Sequence, residues 1–174
     1  EYVTMRAYLV GSLLTCNQGS AMPAPHTIVT AQQDYDLVRR TSGRISAEWP
    51  EFMLHDPVAD YLSECYERLP VYQFVLTTPG AAEPVAMANS IPLAYGDQID
   101  DLPGGGWDWA LTKGMDDHRS GHAPTILCAL QIVVFSEHRG KGISRWAVDG
   151  MRKMAAASRL NGLIAPVRPT MKAL

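Results

Sequence analysis

Two spacings of apolar residues alternate along this chain. Val58, Tyr61, Leu62, Cys65, Tyr66 and Leu69 recur in steps of three and four, the pattern of an amphipathic helix. Asp56 and Pro57 supply a cap and a proline at the first helical position, and Pro70 closes the element. The same period returns over residues 142–160. There Ile143, Trp146, Ala147, Gly150, Met151, Met154 and Ala155 form a stripe, with Arg145, Asp149, Arg152, Lys153 and Arg159 off it. Asn161-Gly162 predicts the stop. A shorter helix runs from the cap Asp34 through Leu37 and Val38 toward Ile45, weakened by Gly43, and a helical piece spans residues 107–118.

Between these lie β-branched and apolar runs. Residues 26–31 predict a first strand. Residues 72–76 and 84–91, either side of Pro79-Gly80, predict a hairpin. The run 125–135 is almost wholly apolar, so it is expected in the middle of a sheet with both faces covered. A last strand covers 163–167. Residues 17–25, rich in small residues and proline, read as a linker. The expected organisation is an N-terminal extension over 1–25 and one mixed α/β domain over 26–174.

Composition narrows the class. The chain has 174 residues, 47% apolar and 19% charged, which suits one globular domain and argues against disorder. A net charge of −3 carries no sign of a nucleic-acid partner. No apolar run approaches the ~18 residues of a membrane span. Cys16, Cys65 and Cys128 are odd in number and widely spaced, which predicts reduced thiols rather than a disulfide framework or a zinc site. Met5-Arg6 and the apolar run up to Cys16 outline a lipoprotein signal, but the run is short and interrupted by Gly11 and Ser12. A cytoplasmic protein is expected.

The chemistry concentrates at Glu137-His138-Arg139-Gly140-Lys141-Gly142-Ile143-Ser144, between the apolar strand and the long helix. A strand, a glycine turn and a helix start form an anion-binding device, because backbone N–H groups and the helix dipole point at the ligand. Arg139, Lys141 and Arg145 add cations, and Ser144 a hydroxyl. The spacing does not fit a P-loop. A dinucleotide fingerprint fails because Arg145 stands where its third glycine belongs. The run from Val134 to Ser144 instead resembles the pyrophosphate motif of the GNAT (GCN5-related N-acetyltransferase) superfamily: Gln or Arg, two residues, Gly, one residue, Gly or Ala. Glu137 occupies the Gln/Arg position, and Ser144 replaces a frequent glycine. The resemblance spans roughly residues 28–167 and is specific over 124–167.

It implies a mostly antiparallel mixed sheet flanked by helices, with acetyl-CoA or another acyl-CoA as co-substrate and no metal. The backbones of Ile132, Val133 and Val134 would take the pantetheine, and Arg139, Gly140, Lys141, Gly142, Ile143, Ser144 and Arg145 the pyrophosphate. It implies direct transfer of the acyl group to a small-molecule or peptide amine, with a base and an acid rather than a covalent intermediate. The strand carries no carboxylate base; Thr125, Cys128 and Gln131 are its polar or reactive residues. Cys128 and Tyr95 are weak catalytic candidates, and each reads more readily as packing. Asp116, Asp117, His118 and His122 read as a solvated loop, and Glu83 and Asp97 as ordinary carboxylates. Asp97, Asp100, Asp101 and Asp108 form an acidic stretch suited to a cationic acceptor.

Family members continue past the family's fifth strand with a helix and two strands that carry the acid tyrosine. The resemblance therefore implies a fragment, or a shortened form that borrows the missing wall in a homodimer. Residues 2–10 alternate enough to pair with the last strand. Two alternatives stand beside the N-acyltransferase: a catalytically silent acyl-CoA-binding or sensing module, and transfer to a carrier-protein thiol.

Overall fold

The computed structural model describes residues 11–12, 26–48, 57–80, 83–96 and 102–166. Six strands form one sheet: β1 (Gly11–Ser12), β2 (Thr27–Thr30), β3 (Gln73–Thr77), β4 (Pro84–Leu93), β5 (Ile126–Val134) and β6 (Gly162–Ile164), in the order β1-β6-β5-β4-β3-β2. Every neighbouring pair is antiparallel except β5 and β6, which are joined by a helical crossover. Among the described residues four α-helices pack on this sheet: α1 (Tyr35–Ser42), α2 (Asp60–Arg68), α3 (Gly106–Ser120) and α4 (Ile143–Ala157). Among the described residues no helix is long and apolar enough to cross a membrane. The expected mixed, mostly antiparallel sheet flanked by helices is the observed architecture.

The two faces bury different helices. Ile143, Ala147, Met151 and Ala155 of α4 pack with Phe74, Ala86, Ala88 and Leu127 on one face. An added Cβ at Gly150 would lie 2.7 Å from Ile28 Cδ1, so the glycine lets α4 lie close to the sheet. The opposite face is covered by α2 and α3, through Cys65, Leu111 and Met115 on Ile91, Leu93 and Cys128. Val38 of α1 and Tyr66 of α2 cover Val75 and Met87 beside them. Both β3 and β4 are buried along their whole length, as central strands require.

Several boundaries differ from the sequence reading. Asp34 does cap α1, accepting from Leu37 N at 2.8 Å. α2 begins at Asp60 instead of at Pro57, because 57–59 form a turn; Asp56 lies outside the described residues. α4 ends at Ala157: Arg159 takes the left-handed conformation (φ 57°), and Leu160 N bonds Ala155 O at 2.9 Å, closing the helix three residues early. The suggested pairing strand 2–10 and Val167 lie outside the described residues. The described Gly11 and Ser12 pair antiparallel with Leu163 and Gly162.

Candidate functional site

β5 has a covered half and an open half. Its parallel pairing with β6 takes in only Leu127↔Leu163 and Cys128↔Ile164. Beyond Cys128 the two strands diverge, although β5 stays paired with β4 as far as Val134↔Ala86. The expectation of a strand in mid-sheet therefore holds for half of β5; the remainder is a sheet edge. A bulge marks the change. Asn89 faces Gln131 and Ser90 faces Ala129, which leaves Leu130 without an opposite residue.

The open edge has a defined polarity. Phe135 N donates to Val85 O at 3.2 Å, so Phe135 turns its backbone toward β4. Alternation along the strand then sends the N–H and C=O groups of Val134 and Ile132 the other way, into the gap. The side chain of Val133 is buried and those of Ile132 and Val134 are half-buried. What this edge offers a ligand is main chain.

The edge leads to the glycine turn. Residues 136–138 form a single 3-10 turn, after which Gly140 (φ 76°) and Gly142 (φ 72°) are both left-handed. Nothing lies within 4 Å of a Cβ built on either glycine, so the space before the turn is open. Gly142 is the N-cap of α4 and contributes no side-chain cap, which leaves the first N–H groups of α4 for another acceptor. Ile143 is buried and anchors the turn beneath α4; Lys141, Ser144 and Arg145 are exposed. The structure thus groups the predicted residues 132–134 and 139–145 in one continuous path.

Arg139 spans that path. Its Nε donates to Val134 O at 3.3 Å, and its Nη2 pairs with Glu48. Glu48 also accepts from Ser136 N at 3.3 Å. Lys141 Nζ donates to Glu137 O at 3.1 Å. Glu137 is held below the ordinary carboxylate pKa, first by its own backbone amide, then by Ser136, His138 and Arg44, against a desolvation that acts the other way. Arg44 Nη2 lies 3.2 Å from Glu137 Oε1, and Arg44 Nη1 lies 3.4 Å from Glu83. The Arg44 guanidinium carbon sits 4.1 Å over the Phe135 ring.

The other candidates fall elsewhere. Cys128 is buried against Ile91 and Leu111 on the α3 face, and burial pushes its thiol up to about 12. That environment favours a core thiol over a nucleophile. Cys65 is likewise buried and pushed up to about 12. Cys16 lies outside the described residues, as do Asp97, Asp100 and Asp101; Asp108 is exposed in the first turn of α3. Tyr95 packs edge-on against Trp109 at 5.8 Å, and its backbone is clipped to Thr125 Oγ1.

The solvated-loop reading of residues 116–122 needs correction. Asp116, Asp117 and His118 belong to α3, and Asp117 is buried where it accepts from Ala94 N (2.8 Å), Lys113 and His122. Among the described residues no three His, Cys, Asp or Glu side chains converge as a metal site.

No protein-family model matches the sequence. A curated relative, arginine N-acetyltransferase avaD from Aspergillus versicolor, is 28% identical over 166 residues, covering 88% of this chain. The match takes in 57% of that relative, so the chain spans a little over half its length. The fold is similar to the solved structure of AAC(6')-Iy in complex with the bisubstrate analog CoA-S-monomethyl-acetylneamine. That likeness has a TM-score of 0.53 at 13% identity, covering 84% of this chain and 82% of that one. The chain is thus similar in sequence to an N-acetyltransferase and has a GNAT-like fold.

Two residues near the glycine turn escaped the sequence reading. Arg44 and Glu48 follow α1, far from the motif, and nothing in their neighbourhood marks them. Arg44 accounts for the glutamate at the Gln/Arg position of the motif that this turn resembles: the guanidinium pairs with Glu137 from outside the turn.

Proposed function

We propose that this domain binds acyl-CoA along the open edge of β5 and transfers the acyl group to an amine. The observation that carries the reading is the continuity of the gap and the turn. The backbone groups of Ile132 and Val134 face the divergence from β6, and the same strand runs directly into the glycine turn and the start of α4. Pantetheine carries two amides, which suit a strand edge. The pyrophosphate that follows suits the amides of Gly140 to Ser144, with Lys141 and Arg145 beside them; the Arg139 amide is already bonded to Ser136 O. Ile143 contributes main chain, its side chain being buried; Val133 turns its backbone toward β4, as Phe135 does, and offers the ligand neither main chain nor side chain.

The thioester then lies near Leu130, at the bulge. A neutral amine attacks its carbonyl carbon, the C–S bond breaks, and coenzyme A leaves as the thiol while the amine gives up one proton. The burial of Cys128 supports direct attack over an acyl-cysteine. The name of the curated relative supports an arginine-like acceptor. The test is release of free coenzyme A from acetyl-CoA with L-arginine, set against a panel of other amines. Turnover with an amine is expected. Tight acetyl-CoA binding with no release for any acceptor would favour the silent binding module.

A further inference from the structure

At the bulge a row of amides fixes the direction of one side-chain oxygen. Gln73 and Asn89 are fully buried, and Gln131 is half-buried beside them on β5. Gln73 Nε2 lies 3.1 Å from Leu69 O and 2.9 Å from Ser90 O. Both are main-chain carbonyls, which only accept, so the nitrogen of Gln73 must face them. Its oxygen therefore accepts from Asn89 Nδ2 at 2.9 Å. That oxygen only accepts, which commits the Asn89 nitrogen; the same Nδ2 also donates to Tyr66 Oη at 3.1 Å. Asn89 Oδ1 is left to accept from Gln131 Nε2 at 2.7 Å. Each amide sets the next, and reversing Gln131 would place two oxygens against each other. The Gln131 oxygen is thus held as an acceptor, one residue past the unpaired Leu130, on the sheet face opposite α4.

We propose that Gln131 Oε1 holds an N–H of the attacking amine, with Asn89 and Gln73 as the positioning residues that aim it. This deepens the acyltransferase reading and rests on it. An amide oxygen accepts a hydrogen bond but takes no proton at neutral pH. The amine must arrive already neutral, keeps its lone pair free for the thioester carbon, and sheds its proton to water after attack. The absence of a carboxylate from β5 then needs no substitute base, and the class of acceptor is a neutral primary amine.

The test compares wild-type protein with Gln131→Met, which keeps length and removes the polar end, using acetyl-CoA and L-arginine with a second amine of different pKa. Circular dichroism checks that the variant folds. Acetyl-CoA affinity should stay within about twofold, while kcat/KM for the amine falls at least about tenfold, as loss of one well-placed hydrogen bond to a polar substrate predicts. In wild type the alkaline rise of kcat/KM should follow the pKa of the amine used and move when the amine is changed. Asn89→Ala provides a second variant that leaves Gln131 in place but free to turn; a folded Asn89→Ala should also lose kcat/KM for the amine and keep acetyl-CoA affinity. Unchanged amine kinetics in Gln131→Met, or a pH limb fixed whatever the amine, would overturn the proposal. Wild-type protein that binds no acetyl-CoA, or turns over no amine, would instead overturn the reading beneath it.

Discussion

Arg44 and Glu137 are 93 positions apart in sequence and meet at 3.2 Å, with the Arg44 guanidinium lying over the ring of Phe135. Their meeting joins the end of α1 to the glycine turn and cancels the negative charge that Glu137 brings to a proposed phosphate site. In Arg44→Ala both Glu137 and Glu83 lose this partner. Exposed pairs of this kind contribute little, because solvent screens them. Acetyl-CoA affinity should accordingly fall a few-fold, and more at low salt than at high salt. Calorimetric titration at two ionic strengths checks this; an equal or tighter affinity in Arg44→Ala would show that Arg44 plays no part.

Asp117 ties α3 to the end of β4. Desolvation raises its pKa, but Lys113, the Ala94 amide and His122 outweigh it, so the folded value lies below the usual carboxylate range. A carboxylate held lower in the folded than in the unfolded state stabilises above its unfolded pKa of about 3.9, and that stability is lost as pH falls through the folded value. Asp117→Asn should therefore cost about 2 kcal/mol at pH 7 through weakened charge-assisted hydrogen bonds. The gap between variant and wild type should narrow as pH falls below about 3.9. Urea denaturation across that range measures it, and a gap that is independent of pH would contradict the assignment.

Much of the fold is legible because local pattern and tertiary role agree. The apolar runs became β3, β4 and β5, and the stripe from Ile143 to Ala155 became the buried face of α4. The glycine motif was legible for the same reason, since Gly140 and Gly142 both take positive φ. The rest depends on relations that no local window contains. Nothing in 126–134 announces that β6 follows β5 for only two residues, or that Leu130 bulges. Arg159, an unfavoured residue for a left-handed position, ends α4 where the sequence pointed to Asn161-Gly162. Asp117 looked like a loop residue because its burial is created by β4 and His122 rather than by its neighbours in α3.

The two buried thiols give an independent check on the direct-transfer scheme. Burial pushes Cys65 and Cys128 up to about 12, so each stays protonated at pH 8. Both should resist iodoacetamide in the folded protein and react once it is unfolded, as followed by peptide mass mapping. Cys128→Ala should keep kcat within about threefold while losing some stability to the space it leaves. Abolished turnover in a folded Cys128→Ala would point to an acyl-cysteine instead.

The central claim is that the turn at 140–142 receives the phosphates of acyl-CoA. Gly142 permits a comparison that separates charge from backbone strain. Its φ of 72° is tolerated by asparagine better than by most residues, and open space lies where a side chain would begin. Gly142→Asn and Gly142→Asp therefore load the backbone similarly, but only the second sets an anion against the pyrophosphate. The decisive measurement is the calorimetric affinity for acetyl-CoA of wild type, Gly142→Asn and Gly142→Asp, each checked for folding. Affinity should fall only a few-fold in Gly142→Asn and by a further factor of at least about ten in Gly142→Asp, about 1.4 kcal/mol. Equal affinities for the two variants would contradict phosphate binding at this turn.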